Sequence, residues 1–178
     1  MSCIVGLVDK GKVYIGADSA ALSGWDLVTR IDKKVFVNNG FAMGFTNSPR
    51  MAQLLSYALK PPQMKTGDDV MRFMTVDFID TVRECLKNGG WASKQNDTEK
   101  GGDFLVGYNG RLFHISSDYQ VAESDIGFYA IGCGAGEARG VLHVLRPKTE
   151  PRKALLAALS ISEKCSGGVR GPFHVVSV

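Results

Sequence analysis

The order of strand-like and helix-like segments predicts an α+β fold, with antiparallel sheets and helices segregated onto outer faces. Three observations carry that expectation. Two early strand pairs are joined by the turns Asp9-Lys10-Gly11-Lys12 and Asn38-Asn39-Gly40; the second holds the Asn-Gly pair that favours a tight hairpin. Helix-period segments then come as two consecutive pairs, each flanked by strands. Finally, 178 residues with 44% hydrophobic and 22% charged side chains suit one domain over residues 1–178, which can bury roughly 70% of its extended surface.

The elements follow in order. Cys3 to Val8 is a β-branched, apolar run, and Val13-Tyr14-Ile15-Gly16-Ala17 pairs with it as a hairpin. The stretch from Asp18 to Thr29 is polar and irregular. Lys34 to Val37 and Phe41 to Phe45 form the second hairpin. Asn47-Ser48-Pro49 then caps a helix with Met51, Leu54, Leu55, Ala58 and Leu59 on one face, ended by Pro61-Pro62. A longer helix is expected from Asp68 to Lys87, with acidic residues in its first turn and one apolar stripe. Asn88-Gly89-Gly90 ends it, and the polar segment Ser93 to Asp103 reads as a surface loop. Strands at Phe104–Gly107, Leu112–Ser116 and Phe128–Ile131 come next. Helices over Gly136–Leu145 and Pro151–Lys164 and a last strand over Phe173–Val178 complete the chain.

Several function classes are excluded or disfavoured. A net charge of +3 is too small and too evenly spread for a nucleic-acid or anionic-membrane binder. No run reaches the eighteen or so apolar residues of a membrane helix, and the short apolar start lacks a signal peptide's basic flank. The four cysteines are far apart, which suits reduced thiols, so a cytoplasmic location is expected. Gly132-Cys133-Gly134-Ala135-Gly136 has the setting of a dinucleotide fingerprint, but Glu137 stands where the third glycine belongs. It reads instead as a tight strand-to-helix turn with free amides aimed at a site. His114, His143 and His174 are isolated, so no metal and no cofactor is expected.

The chemistry-bearing feature is the N-terminus. Loss of Met1 before the small Ser2 leaves a hydroxyl and a free α-amine on one residue. An α-amine titrates near pH 7.7–8.0 in model peptides (about 8), so it is available as a base at neutral pH.

Ser2-Cys3-Ile4-Val5-Gly6, Val13 to Ser19 and Asp32-Lys33-Lys34-Val35 together resemble the opening of proteasome β subunits and of the bacterial peptidase HslV. In that family an Asp follows the nucleophile by sixteen residues and a Lys by thirty-two; Ser2, Asp18 and Lys34 keep both intervals. Gly44-Phe45, Ala130 to Gly134 and Ser166-Gly167-Gly168 extend the resemblance over nearly the whole chain.

The resemblance implies a four-layer αββα sandwich, two antiparallel sheets between helix layers, of the N-terminal-nucleophile hydrolases. It implies that Ser2 attacks a peptide carbonyl while its own amine takes the proton. Lys34 would lie beside the hydroxyl as a cation, and Asp18 would pair with Lys34. Ser166, Glu163 and Cys133 match positions around the N-terminal amine. The backbone after Gly44, at Thr46 and Asn47, matches the segment offering an oxyanion N–H. Ala20, Ala21 and Leu22 match a strand that binds extended peptide. A homo-oligomer of two stacked rings, peptide or unfolded-protein substrates and an ATP-dependent unfoldase partner are further implications.

Taken singly, each residue has a plainer reading: Asp18 as a turn cap, Lys34 as a solvated lysine, Glu163 as a helix-surface charge, Cys133 as a structural thiol. The chain departs from the family pattern in having Ser for Thr at the nucleophile, Cys133 for a serine, Thr46-Asn47-Ser48 for Ala-Gly-Gly, and Glu163 for an Asp. Two other function classes remain open. One is a catalytically silent ring scaffold, against which the Asp18 and Lys34 pair argues; the other is a small-amide hydrolase of the same fold.

Overall fold

A computed structural model describes residues 1–24, 26–95, 98–146 and 148–178. Two antiparallel sheets dominate it. The first has the order β12-β1-β2-β13, from β1 (Cys3–Asp9), β2 (Lys12–Ala17), β12 (Phe128–Gly132) and β13 (His174–Ser177). The second has the order β11-β10-β9-β6-β5, from β5 (Val35–Asn38), β6 (Phe41–Phe45), β9 (Phe104–Tyr108), β10 (Arg111–Ile115) and β11 (Val121–Glu123).

The apolar run of β1 has no polar alternation because both faces of the strand are buried. Cys3, Val5 and Leu7 pack toward α4 (Ala135–Leu145) and α5 (Pro151–Cys165), meeting Ala138, Leu142, Leu155 and Leu159. Ile4 points the other way, into a cluster with Val13, Ile15, Val35, Ala42, Leu105 and Leu112 drawn from both sheets. A third cluster joins the five-stranded sheet to α1 (Pro49–Gln53), α2 (Val70–Phe73) and α3 (Ile79–Asn88). There Phe41 stacks on Tyr108 with centroids 4.0 Å apart and on Phe78 at 5.0 Å. Truncating the fully buried Phe78 to alanine costs about 3–5 kcal/mol in such a setting.

Gly44 shows why the two sheets sit so close. A Cβ there would fall 2.6 Å from Ile4 Cγ2 and 2.8 Å from Ile15 Cγ2. Only a residue without a side chain fits between the sheets at that point.

Helix signals act as expected at the N-termini. Ser48 Oγ accepts from Met51 N at 3.2 Å, and Pro49 occupies the first turn of α1. Asp69 caps α2 through Arg72 N at 2.7 Å. Glu150 accepts from the amides of Arg152 and Lys153, each at 3.0 Å, at the start of α5. Both longer helical segments carry a π-helical turn, at Leu54–Ala58 and Met74–Phe78, which apolar spacing alone does not signal.

Two sequence expectations are corrected, and one strand that no expectation covered is added. The irregular stretch from Asp18 to Thr29 instead holds a hairpin of β3 (Ala20–Ser23) and β4 (Asp26–Thr29), with Gly24 at φ 59° in its turn. Every residue of β4 is exposed, so no burial pattern marked it. The segment Ser93 to Asp103 also contains a hairpin, of β7 (Ser93–Gln95) and β8 (Thr98–Lys100), with its middle residues 96 and 97 outside the described ones. Its polar strands are held by main-chain pairing and by Arg83 Nε donating to Glu99 Oε2 at 2.9 Å. β11, three residues long and mostly polar, has no strand pattern in the sequence; it is tied to β10 by an ion pair between Arg111 and Glu123.

The register gathers distant residues at one end of the molecule. Cys3 opposes Gly132 and Ile4 opposes Ala17, so the start of β1 meets the ends of β2 and β12. Val35 opposes Gly44, so the start of β5 meets the end of β6. Ser2, Asp18, the 132–134 turn, Lys34 and Thr46 thereby flank the same end of both sheets.

Candidate active site

Ser2 is 3% exposed at the head of β1. Its Oγ accepts a hydrogen bond from Lys34 Nζ at 3.0 Å and donates to the carbonyl of Met1 at 2.5 Å. Lys34 reaches it from the residue before β5, where its own carbonyl accepts from Phe45 N at 3.1 Å. That main-chain bond extends the β5–β6 ladder by one step and fixes the lysine's Cα.

Lys34 Nζ also donates to Asp18 Oδ1 at 2.9 Å. The Asp18 side chain is fully buried and that of Lys34 is 11% exposed. Burying a carboxylate is costly unless its lone pairs are met, and here they are. Oδ1 accepts from Cys3 N at 3.0 Å besides the lysine, while Oδ2 accepts from Ala20 N at 2.9 Å and Arg170 N at 3.3 Å. Asp18 thus caps a local turn and holds the lysine together. Arg170 was not expected here, because its contribution is a backbone amide that no side-chain pattern reveals.

The turn after β12 closes the other side. Gly134 N donates to Ser2 O at 3.5 Å, Cys133 Sγ donates to the same oxygen at 3.4 Å, and Ser166 Oγ donates to Cys133 Sγ at 3.3 Å. Gly132 has φ 93°, and a Cβ on it would fall 2.2 Å from Ser2 O. Gly168 lies against Met1 in the same way, with a notional Cβ 2.6 Å from Met1 Cβ. The glycines around the N-terminus therefore make room for the Met1-Ser2 main chain itself.

Burial pushes the Cys3 thiol, one residue on, up to about 12. It packs beneath the site beside Ser162, whose Oγ donates to Gly134 O at 2.9 Å.

A cavity of about 160 Å³ opens over Ser2 and Lys34, lined on one wall by Ser19, Ala20, Ala21 and Leu22. β3 is paired on one side with β4 and, among the described residues, on no other. Asn47, Phe45 and Pro49 also line the cavity. At the rim Arg30 Nε donates to Asp32 Oδ1 and Nη2 lies against Oδ2, both at 2.7 Å. This bond from Arg30 holds the Asp32 carboxyl below the usual carboxylate range. Neither residue is among the expected site positions, although Asp32 stands in the Asp32-Lys33-Lys34-Val35 segment that carries part of the resemblance.

Three expected positions lie elsewhere. Gly44 is enclosed between the sheets and lines no part of the cavity. Thr46 N is spent on Asp103 O at 3.0 Å, so it has no proton to offer a ligand. Glu163 accepts from Gly171 N at 3.0 Å and faces Arg170 Nη1 at 3.8 Å, bracing the 166–172 segment rather than touching Ser2. Among the amides of residues 45–48, Phe45 donates to Lys34 O, Thr46 to Asp103 O and Ser48 to Thr46 O at 2.8 Å. Asn47 N, at φ 70°, donates to no described group.

Among the described residues no group of three or more His, Cys, Asp or Glu side chains is placed to hold a metal ion. Among them, too, no helix is long and apolar enough to cross a membrane.

No protein-family model and no curated protein matches the sequence. Solved structures do match. Thiobacillus denitrificans BPH superposes with TM-score 0.81 at 19% identity, covering 99% of this chain and 97% of that one. HslV from Trypanosoma brucei gives 0.70 at 15% identity, covering 98% of each. The Gly-1 mutant of Anbu from Hyphomicrobium sp. strain MC1 gives 0.68 at 19% identity, covering 99% of this chain and 80% of the other. At such identities the likeness is one of architecture, and on that ground the chain has the fold of the HslV-like and ancestral β-subunit-like proteins.

Proposed function

We propose that this chain is a proteasome- and HslV-like peptidase in which Ser2, freed of Met1, is the nucleophile. The observation that carries the reading is the placement of Lys34 Nζ, 3.0 Å from Ser2 Oγ and 2.9 Å from a buried Asp18 carboxylate. A cation held at a hydroxyl by a buried anion stabilises the alkoxide that forms during attack.

With Met1 in place the Ser2 hydroxyl donates to the Met1 carbonyl and the Ser2 nitrogen is an amide. Removal of Met1 takes that acceptor away and leaves the α-amine as the base. The amine accepts the hydroxyl proton, Oγ bonds to the scissile carbonyl carbon, and negative charge moves to the carbonyl oxygen. Asn47 N–H, the unengaged amide of its segment, supplies a donor to that oxygen. Collapse breaks the C–N bond, and the ammonium returns its proton to the leaving amine. Water then hydrolyses the Ser2 ester, releasing the acid and restoring the hydroxyl. Peptide adds along the free edge of β3 at Ala20 to Leu22. Cys133 and Ser166 position Ser2 through its carbonyl.

Three apolar clusters, one between the sheets and one under each helix group, support a four-layer αββα arrangement. A stacked-ring homo-oligomer in the cytoplasm, fed by an ATP-dependent unfoldase, is the assembly this reading entails. The complex of Thiobacillus denitrificans BPH with epoxomicin, in a chain of the same fold, adds support.

The test is intact mass after incubation with a peptide epoxyketone, which closes a ring only on a residue bearing both a nucleophilic side chain and a free amine. An adduct on a chain lacking Met1, absent from Ser2→Ala, is the expected result. A chain that retains Met1 and takes no adduct would point to the silent scaffold.

A further inference from the structure

We propose that His114 and Asp103, neither of which lines the cavity over Ser2, are a positioning pair for the Asn47 amide. This inference rests on the nucleophile reading above.

His114 Nε2 lies 2.6 Å from Asp103 Oδ1. The imidazole is fixed on its own side by stacking on Tyr129 of β12, with centroids 5.0 Å apart. It sits in β10 opposite Leu105, so Asp103 reaches it diagonally from just before β9.

The carbonyl of Asp103 accepts twice from Thr46, from N at 3.0 Å and from Oγ1 at 3.3 Å. Thr46 is 2% exposed, and its Cγ2 lies 3.3 Å from where a Cβ on Gly132 would be, over the turn that touches Ser2 O. Thr46 O and Asn47 N–H belong to one planar, trans peptide unit and so point to opposite sides of the chain. Ser48 N pins the oxygen side of that unit at 2.8 Å. Asp103 pins the residue that precedes it, so together they set where the Asn47 N–H is aimed.

The main chain is held on either side of Asp103, where Gly101 N donates to Ser117 O at 2.9 Å and Phe104 is paired with Phe45 and Ile115. Between those points Gly101 and Gly102 impose little φ/ψ restriction and have no side chains to fix how the Asp103 carbonyl is aimed. The contact between His114 Nε2 and Asp103 Oδ1 supplies that restraint from the neighbouring strand. Without it, the Asp103 side chain, already 31% exposed, turns to solvent and the Asp103–Thr46 contact loosens. Misaiming of a catalytic donor by about 1 Å costs up to about a hundredfold in rate without abolishing substrate binding.

The experiment measures epoxyketone inactivation of the mature protein, separating the limiting rate kinact from the half-saturation KI. Amide hydrogen exchange at Thr46 is followed in the same samples, and each variant's melting temperature is checked. His114→Leu is expected to lower kinact about tenfold or more, leave KI within about twofold, and speed exchange at Thr46. His114→Gln, whose amide can still donate to Asp103, is expected to restore most of kinact and the slow exchange. Asp103→Asn provides a second removal of the pair's charge without loss of the 103 carbonyl, and is expected to fall between them. Unchanged kinact and exchange in His114→Leu overturn the inference alone. Equal loss in His114→Leu and His114→Gln also overturns it, since packing and not the hydrogen bond would then be at work. Failure of the unaltered protein to label at all overturns the nucleophile reading and this inference with it, whereas slow Thr46 exchange that depends on His114 bears on the pair whatever the label does.

Discussion

Asp18 Oδ1 accepts both the amide proton of Cys3, at 3.0 Å, and a proton of Lys34 Nζ, at 2.9 Å. The residue following Ser2 and the cation beside the Ser2 hydroxyl are therefore tied to one oxygen atom. Ser2 and Lys34 come from different sheets, and this shared acceptor fixes their separation.

Removing the two members of that pair should have different consequences. Lys34→Met leaves Asp18 with three backbone donors, so stability falls modestly while epoxyketone labelling drops by about a hundredfold or more. Asp18→Asn leaves an ammonium buried without its anion, and unfolding free energy in urea should fall by about 3 kcal/mol, with labelling lost as well. Equal stability losses in the two variants would contradict the hydrogen-bond inventory around Asp18.

Glycine substitutions around the N-terminus should separate necessity from incidental usage. Gly132→Ala combines φ 93° with a Cβ 2.2 Å from Ser2 O, and should cost about 3 kcal/mol or more. Gly136→Ala, inside α4 with nothing within 4 Å of its notional Cβ, should instead gain about 0.5–1 kcal/mol. Thermal unfolding of both variants decides the matter.

Cys3 predicts an alkaline weakening. Its thiol is held up to about 12 by burial, against 9.0 as the ordinary value. Above pH 9 the unfolded chain has lost this proton while the folded chain keeps it, so folding stability falls as pH rises from 9 toward 12. The slope is about 1.4 kcal/mol per pH unit. Urea unfolding of the parent and of Cys3→Ala across that range should show the shallower dependence in the variant.

The Arg30–Asp32 pair at the cavity rim should shape substrate preference. Asp32→Asn removes the carboxylate and leaves Arg30 without its ionic partner beside the cavity. Turnover of peptides with an acidic side chain at the scissile bond should rise about tenfold relative to lysine-bearing ones. A ratio that stays constant would place the bound side chain away from the rim.

Much of this molecule is visible in its one-dimensional pattern, and the exceptions have physical causes. The buried strands announce themselves through β-branched runs, and α1 and α5 through caps and first-turn prolines, because burial and backbone satisfaction constrain residue type locally. The exposed hairpins β3–β4 and β7–β8 and the short β11 leave no such trace, since main-chain pairing and surface ion pairs hold them. Among the candidate site residues, Ser2, Asp18 and Lys34 are picked out by intervals that resemble those of proteasome β subunits and HslV, while the contacts among their side chains come from the folded chain. The sequence alone could not show that Thr46 N is consumed by Asp103, that Glu163 faces Gly171, or that Gly44 fills the gap between sheets. The first and third outcomes are set by tertiary assembly: Thr46 meets Asp103 across 57 residues, and Gly44 lies against Ile4 and Ile15 of the opposite sheet. The second, only 8 residues apart, is set by how the chain turns after α5, and none of the three leaves a mark in residue type.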